Sequence, residues 1–193
     1  MDNSLQLLIS ALGSEDAYER SVAAEALGNL GPDAAPAVKE LIRCAKDRDP
    51  EVAYLAGQAL ARVGTEEANQ AVRKFTVPAL VKRLKHPDYS ERSDAAMSLG
   101  ELGQLAEGSE LELQQLFLEP MSEPALHAAR ALRSIGTPKS MAMFEQFADQ
   151  WQEVFIEQLL HDDEAVRDFA CFGLKLLDTP AARKALEIVG MGD

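Results

Sequence analysis

The chain has 193 residues, 47% of them hydrophobic and 6% aromatic, and a formal net charge of −13. This is apolar material enough for one ordinary domain or a short array, so disorder is excluded, and no run approaches the ~20 apolar residues of a membrane span. The acidic balance, −3 over residues 1–96 (12 Lys/Arg, 15 Asp/Glu) and −10 over 97–193 (7 against 17), argues against nucleic acid and anionic membrane, which need a broad basic surface.

The first ten residues, MDNSLQLLIS, lack the basic start and small-residue cleavage site of a secretory signal, and a cytoplasmic protein is expected. Leu8 and Leu12 then form the apolar side of a first helix, Asp16 stands in a turn, and AAEALGNLG (23–31) reads as the end of a second helix. That phrase returns as AGQALARVG (56–64), AAMSLGELG (95–103) and AARALRSIG (128–136), with ACFGLKLLD (170–178) as a degenerate fifth copy. Anchoring the copies on Gly31, Gly64, Gly103, Gly136 and Asp178 aligns five helical hairpins, over about 4–31, 35–64, 74–103, 109–136 and 141–178, in one domain spanning 1–193.

Each position in the copy has a predicted task. Leu27, Leu60, Leu99, Leu132 and Leu174, with Ala23, Ala56, Ala95, Ala128 and Ala170 four residues earlier and Leu30, Val63, Leu102, Ile135 and Leu177 three later, make the core stripe of the second helix. Leu41, Leu80, Leu113 and Phe155 with the apolar residues four further on do the same for the first helix. Asp16, Asp49, Asp88 and Asp163 fall where the second helix begins and are expected to cap it; in the fourth copy Met121 holds that slot and Ser122 is the substitute. The anchor glycines should close the second helix in the left-handed conformation, and Thr179–Pro180 should stop the fifth copy and start a terminal helix over 179–190. Anchor spacings of 33, 39, 33 and 42 put extra residues near 65–76 and 137–151.

Tandem hairpins with this phrase, an aspartate in the turn and arginine at Arg20, Arg92 and Arg167 resemble HEAT repeats, and more narrowly the short HEAT-like repeats of phycobilin lyases. The resemblance runs over residues 4–178 and implies an all-α, right-handed α-solenoid of about five hairpins plus a C-terminal capping helix, used most often for scaffolding or partner binding. Ala53 and Ala125 stand where the other copies have arginine, which interrupts the stacked arginine–aspartate ladder that the family implies.

No reaction is indicated. His86, His127 and His161 are far apart, the His-Glu dipeptides of the family's di-iron hydroxylase are missing, and no phosphate loop, nucleophile elbow or dinucleotide fingerprint occurs. Cys44 and Cys171 form no Cys-x-x-Cys pair, Asp163 is assigned to capping rather than to a metal, and no cofactor is expected. The basic residues of 73–86 scatter over several helix faces.

In such arrays the second helices line the concave surface, and positions 2, 6, 9 and 13 before each anchor give its exposed face. Tyr18, Val22, Glu25, Leu55, Gln58, Arg62, Asp94, Met97, His127 and Arg130 are the partner-binding candidates there. The fifth copy instead offers Phe169, Phe172 and Leu176, either covered by Leu186 and Val189 of the terminal helix or forming a hydrophobic docking groove or dimer contact. Met141, Phe144, Phe147, Ala148 and Trp151 read as core of a long first helix. The sequence thus predicts a non-catalytic adaptor whose protein partner has a basic or mixed contact region; the alternative is a bilin lyase or chromophore-handling subunit with tetrapyrrole propionates on Arg62 or Arg130. A designed repeat protein fits less well, because the copies differ in length and at most surface positions.

Overall fold

The computed structural model describes residues 3–118 and 122–190. Among them there is no strand, and the chain is an all-α solenoid of helical hairpins divided into two compact units, Met1–Arg83 and Leu84–Asp193. In the first unit α1 (Asn3–Ala11) and α2 (Ala17–Leu30) form the first hairpin, and a 3-10 segment, Gly31–Ala37, leads into α3 (Val38–Cys44) and α4 (Pro50–Val63). There follows one helical run of α5 (Glu66–Ala71), a π-helical turn (Val72–Thr76) and α6 (Val77–Arg83), which absorbs the extra residues near 65–76. The second unit holds α7 (Tyr89–Leu102), a 3-10 segment (Gly103–Ala106), α8 (Glu110–Gln115), α9 (Glu123–Ile135), the 21-residue α10 (Pro138–Gln158), α11 (Glu164–Leu177) and α12 (Pro180–Ile188). The 137–151 insertion has lengthened α10.

The stripe predicted from the repeat is the core. Leu27, Leu60, Leu99, Leu132 and Leu174 are all fully buried, as are their alanine partners to within 2%. Each such leucine contributes about 1.5–3 kcal/mol by leaving water. Leu30 departs from the pattern at 42% exposure, whereas its equivalent Leu102 is buried.

Capping follows the aspartates. Asp16, Asp49, Asp88 and Asp163 are extended and accept hydrogen bonds from Tyr18, Glu51 and Val52, Ser90 and Ala165 N–H respectively, and Ser122 Oγ accepts from Ala125. Met121 lies outside the described residues. Behind the caps a second device repeats: Arg20, Arg92 and Arg167 each donate from NH1 to the carbonyls one and two residues before the capping aspartate, at 2.7–3.0 Å. The residue two before the aspartate accepts the aspartate N–H, through Ser14 Oγ, Asp47 Oδ1, His86 Nδ1 and His161 Nδ1. His86 and His161 are therefore turn builders. Arg20 extends the clamp to a carboxylate of the next turn, meeting Asp47 through Nε and NH2 at 2.9 Å each.

The helix ends are of two kinds. Gly64 and Gly136 are left-handed, as expected, and are followed by Thr65 and Thr137, whose hydroxyls cap the next helix. Gly31 and Gly103 take φ 58°, ψ −131° and φ 53°, ψ −129°, outside the left-handed helical region and accessible essentially to glycine, and both continue into 3-10 turns. Asp178 is left-handed at φ 51° without being glycine, and Thr179 then caps α12. The two kinds alternate over the first four copies, so the repeating object is a pair of hairpins with a period of 72 residues. Gly28, Gly31, Ala59, Leu60, Gly64 and Thr65 correspond to Gly100, Gly103, Ala131, Leu132, Gly136 and Thr137.

Candidate functional site: the exposed faces of the second helices

Helices α2 and α4 lie against each other in the first unit because Gly28 faces Ala59: a Cβ at Gly28 would stand 3.1 Å from Ala59 Cα. The close approach brings six candidates together. Tyr18 (74% exposed), Val22 (45%) and Glu25 stand open on α2; Arg62 is exposed on α4, and Leu55 and Gln58 are half-buried beside it. Arg62 NH1 donates to Asn29 Oδ1 at 3.2 Å, joining the two faces, and Gln58 Nε2 donates to the Tyr54 hydroxyl.

In the second unit Gly100 meets Ala131 in the same way, with its Cβ position 3.1 Å from Ala131 Cα, and α7 packs closely on α9. Asp94 and Met97 (37%) are exposed on α7, Arg130 is exposed on α9, and His127 is half-buried, its ring centre 6.0 Å from that of Phe172 on α11 in an edge-to-face arrangement. The position that is Gly28 in α2 and Gly100 in α7 is Arg133 in α9. An arginine cannot admit a neighbouring backbone, and α9 and α11 touch far less. Between them opens a groove of about 560 Å³ lined by Arg130, Arg133, Ser134, Phe172, Lys175 and Leu176.

Arg133 is held in place by three neighbours. Its NH1 donates to Leu176 O at 3.0 Å, NH2 lies 3.4 Å from Asp178 Oδ2, and the guanidinium sits 5.7 Å from the Phe144 ring centre. Arg183, at 2.6 Å, together with Arg133, holds the Asp178 carboxyl below the usual carboxylate range. Arg133 and Lys175 were not singled out from the sequence. Both stand three before the anchor, where the earlier copies have Gly28, Ala61 and Gly100, and that change from small to cationic was the available signal.

The fifth-copy aromatics divide. Phe169 is half-buried and turns inward, edge-on to Phe155 at 6.1 Å, at the end of a series through Phe117, Phe147, Trp151 and Phe155. Phe144, Phe147 and Ala148 are buried, so that stripe of α10 is core. Helix α12 packs on α11 with Ala182 and Leu186 buried, yet Phe172 remains 40% exposed; Leu176 is half-buried. The terminal helix therefore does not cover Phe172. Asp163 caps α11, and among the described residues no group of three His, Cys, Asp or Glu could hold a metal ion. Cys44 and Cys171 are unpaired; burial pushes the Cys44 thiol up, out of the reactive range. No described helix is long and apolar enough to cross a membrane.

The family model for HEAT repeats matches residues 5–77. No curated protein matches the sequence. Among solved structures, an engineered protein is similar at 26% identity and a TM-score of 0.54, over 97% of this chain and 85% of that one. A designed armadillo repeat protein in complex with the peptide (KR)4 is similar at 19% identity and a TM-score of 0.53, over 98% and 89%, a likeness of fold alone. The complex of CpcE and CpcF of phycocyanin lyase from Nostoc sp. PCC7120 aligns at 20% identity over 98% and 94%, with a TM-score of 0.49, too low to carry an argument.

Proposed function

From a solenoid whose residues 5–77 match HEAT repeats, we propose a non-catalytic, cytoplasmic adaptor that binds a protein partner on the exposed faces of its second helices. The observation that carries this reading is the run of open apolar side chains on those faces: Tyr18, Val22, Met97 and Phe172 all keep 37% or more of their surface. None of them serves the core, and each stands beside polar or charged neighbours, the composition of a recognition surface. Each unit's face carries both signs, Glu25 and Arg62 in the first and Asp94 and Arg130 in the second, which favours a partner contact region that is basic or mixed and gives selectivity through charge matching. The acidic balance of the whole chain supports protein over nucleic acid.

The test is capture from the native lysate by the full chain against a Leu55→Glu, Met97→Glu, Arg130→Glu variant, both first shown folded by circular dichroism. A protein retained by wild type and lost by the variant is the expected result; identical retention by the two would remove these faces from the site. A second reading, a chromophore-handling subunit, draws on Arg130 beside an apolar-floored groove wide enough for a small molecule. It requires that the purified chain take up a linear tetrapyrrole and become coloured.

A further inference from the structure

The groove between α9 and α11 runs against the charge of its own half of the chain. Residues 97–193 hold seven Lys/Arg and 17 Asp/Glu, yet three of the seven cations, Arg130, Arg133 and Lys175, line this one groove, and no carboxylate is among its lining residues. Helical spacing puts them there. Arg130, Arg133 and Ser134 are related by three and four residues on α9; Phe172, Lys175 and Leu176 repeat the same spacing on α11. The floor is apolar, formed by Phe172 and Leu176, and the edges are cationic.

We propose that this groove docks an acidic, apolar-centred segment of a protein partner: a Leu or Phe side chain against Phe172 and Leu176, flanked by Asp or Glu carboxylates facing Arg130 and Lys175. The inference rests on the adaptor reading and narrows it: of a basic or a mixed contact region it selects the mixed one, with the acidic part seated in this groove. Charge complementarity selects the occupant. A polyanion such as nucleic acid would run beyond these cations onto a half of the chain whose net charge is −10. A short segment that sets one or two carboxylates at the rim asks for no more cations than the groove offers beside Arg133, which is already paired with Asp178. The Phe172 ring stands edge to face with His127, and Arg133, held by Leu176 O and Asp178, frames the floor.

The test is fluorescence polarisation on the full chain with the labelled peptide EDLFEDL and its cationic counterpart KKLFKKL. The acidic peptide should bind at least tenfold more tightly, and more weakly as salt rises. Arg130→Glu should lower its affinity tenfold or more, Arg130→Lys should retain part of it, and Lys39→Glu, on the exposed side of α3 in the first unit, should leave it unchanged. Equal binding of the two peptides, no binding of EDLFEDL, or indifference to Arg130→Glu overturns the proposal. In the lysate experiment, a partner lost with Leu55→Glu and Met97→Glu but kept by Arg130→Glu alone would sink the groove while leaving the adaptor standing. Loss of neither by any of these variants sinks both.

Discussion

At the level of single residues, the repeat positions divide into those that fill space and those that close turns. Leu60 is fully buried between α4 and its neighbours, so Leu60→Ala should cost about 2–5 kcal/mol, seen as a lower denaturant midpoint with an unchanged slope. Gly57 shows packing reversing an ordinary preference. In an open helix Gly→Ala stabilises by about 0.4–1 kcal/mol, but here the new Cβ would stand 2.6 Å from Thr76 Oγ1 and Cγ2. Gly57→Ala should therefore destabilise by about 1–3 kcal/mol, and adding Thr76→Ala should recover part of the loss, as thermal melts of the two variants will show. The Arg20–Asp47 pair has a pH signature. The hydrogen bonds from Arg20 hold the Asp47 carboxyl below its ordinary 3.8, so its contribution is complete above that value and is lost as pH falls through the lower folded one. Asp47→Asn should cost about 1.5–3 kcal/mol at neutral pH and flatten the loss of stability below pH 4, measured by urea unfolding across that range.

Among the elements, helix starts were fully legible and helix ends only in part. A capping aspartate has only local partners, the first N–H groups of the helix, and at Asp16, Asp88 and Asp163 an arginine four residues on reaches the preceding carbonyls, so the capping aspartates could be placed without knowing the fold. Asp163→Ala should cost about 0.5–2 kcal/mol and raise hydrogen exchange chiefly in the first turn of α11. The glycine ends looked alike in sequence and are not. Gly31 and Gly103 enter 3-10 turns because Ala34 and Ala106 pack into the core behind them, a tertiary contact that the phrase itself does not encode. Helix α1 has no buried residue, and its amides should exchange much faster than those of α4, which buries six residues; exchange monitored by mass spectrometry will rank them.

For the molecule as a whole, the repeated phrase determined the all-α solenoid, the core leucines and alanines, the capping aspartates and the long α10, because all of these follow from periodicity and short-range hydrogen bonding. Exposure of Tyr18, Val22, Met97 and Arg130 was also readable, since helical spacing alone turns those positions from the core. Only the tertiary structure decided how close neighbouring second helices come. Gly28 on Ala59 and Gly100 on Ala131 draw α2 to α4 and α7 to α9, while Arg133 at the equivalent place keeps α9 from α11 and leaves a cationic groove with Phe172 in its floor. Net charge gave no hint of it. A sum over residues carries no positions, and the cations of a predominantly acidic half gather in one groove through contacts between helices far apart in sequence.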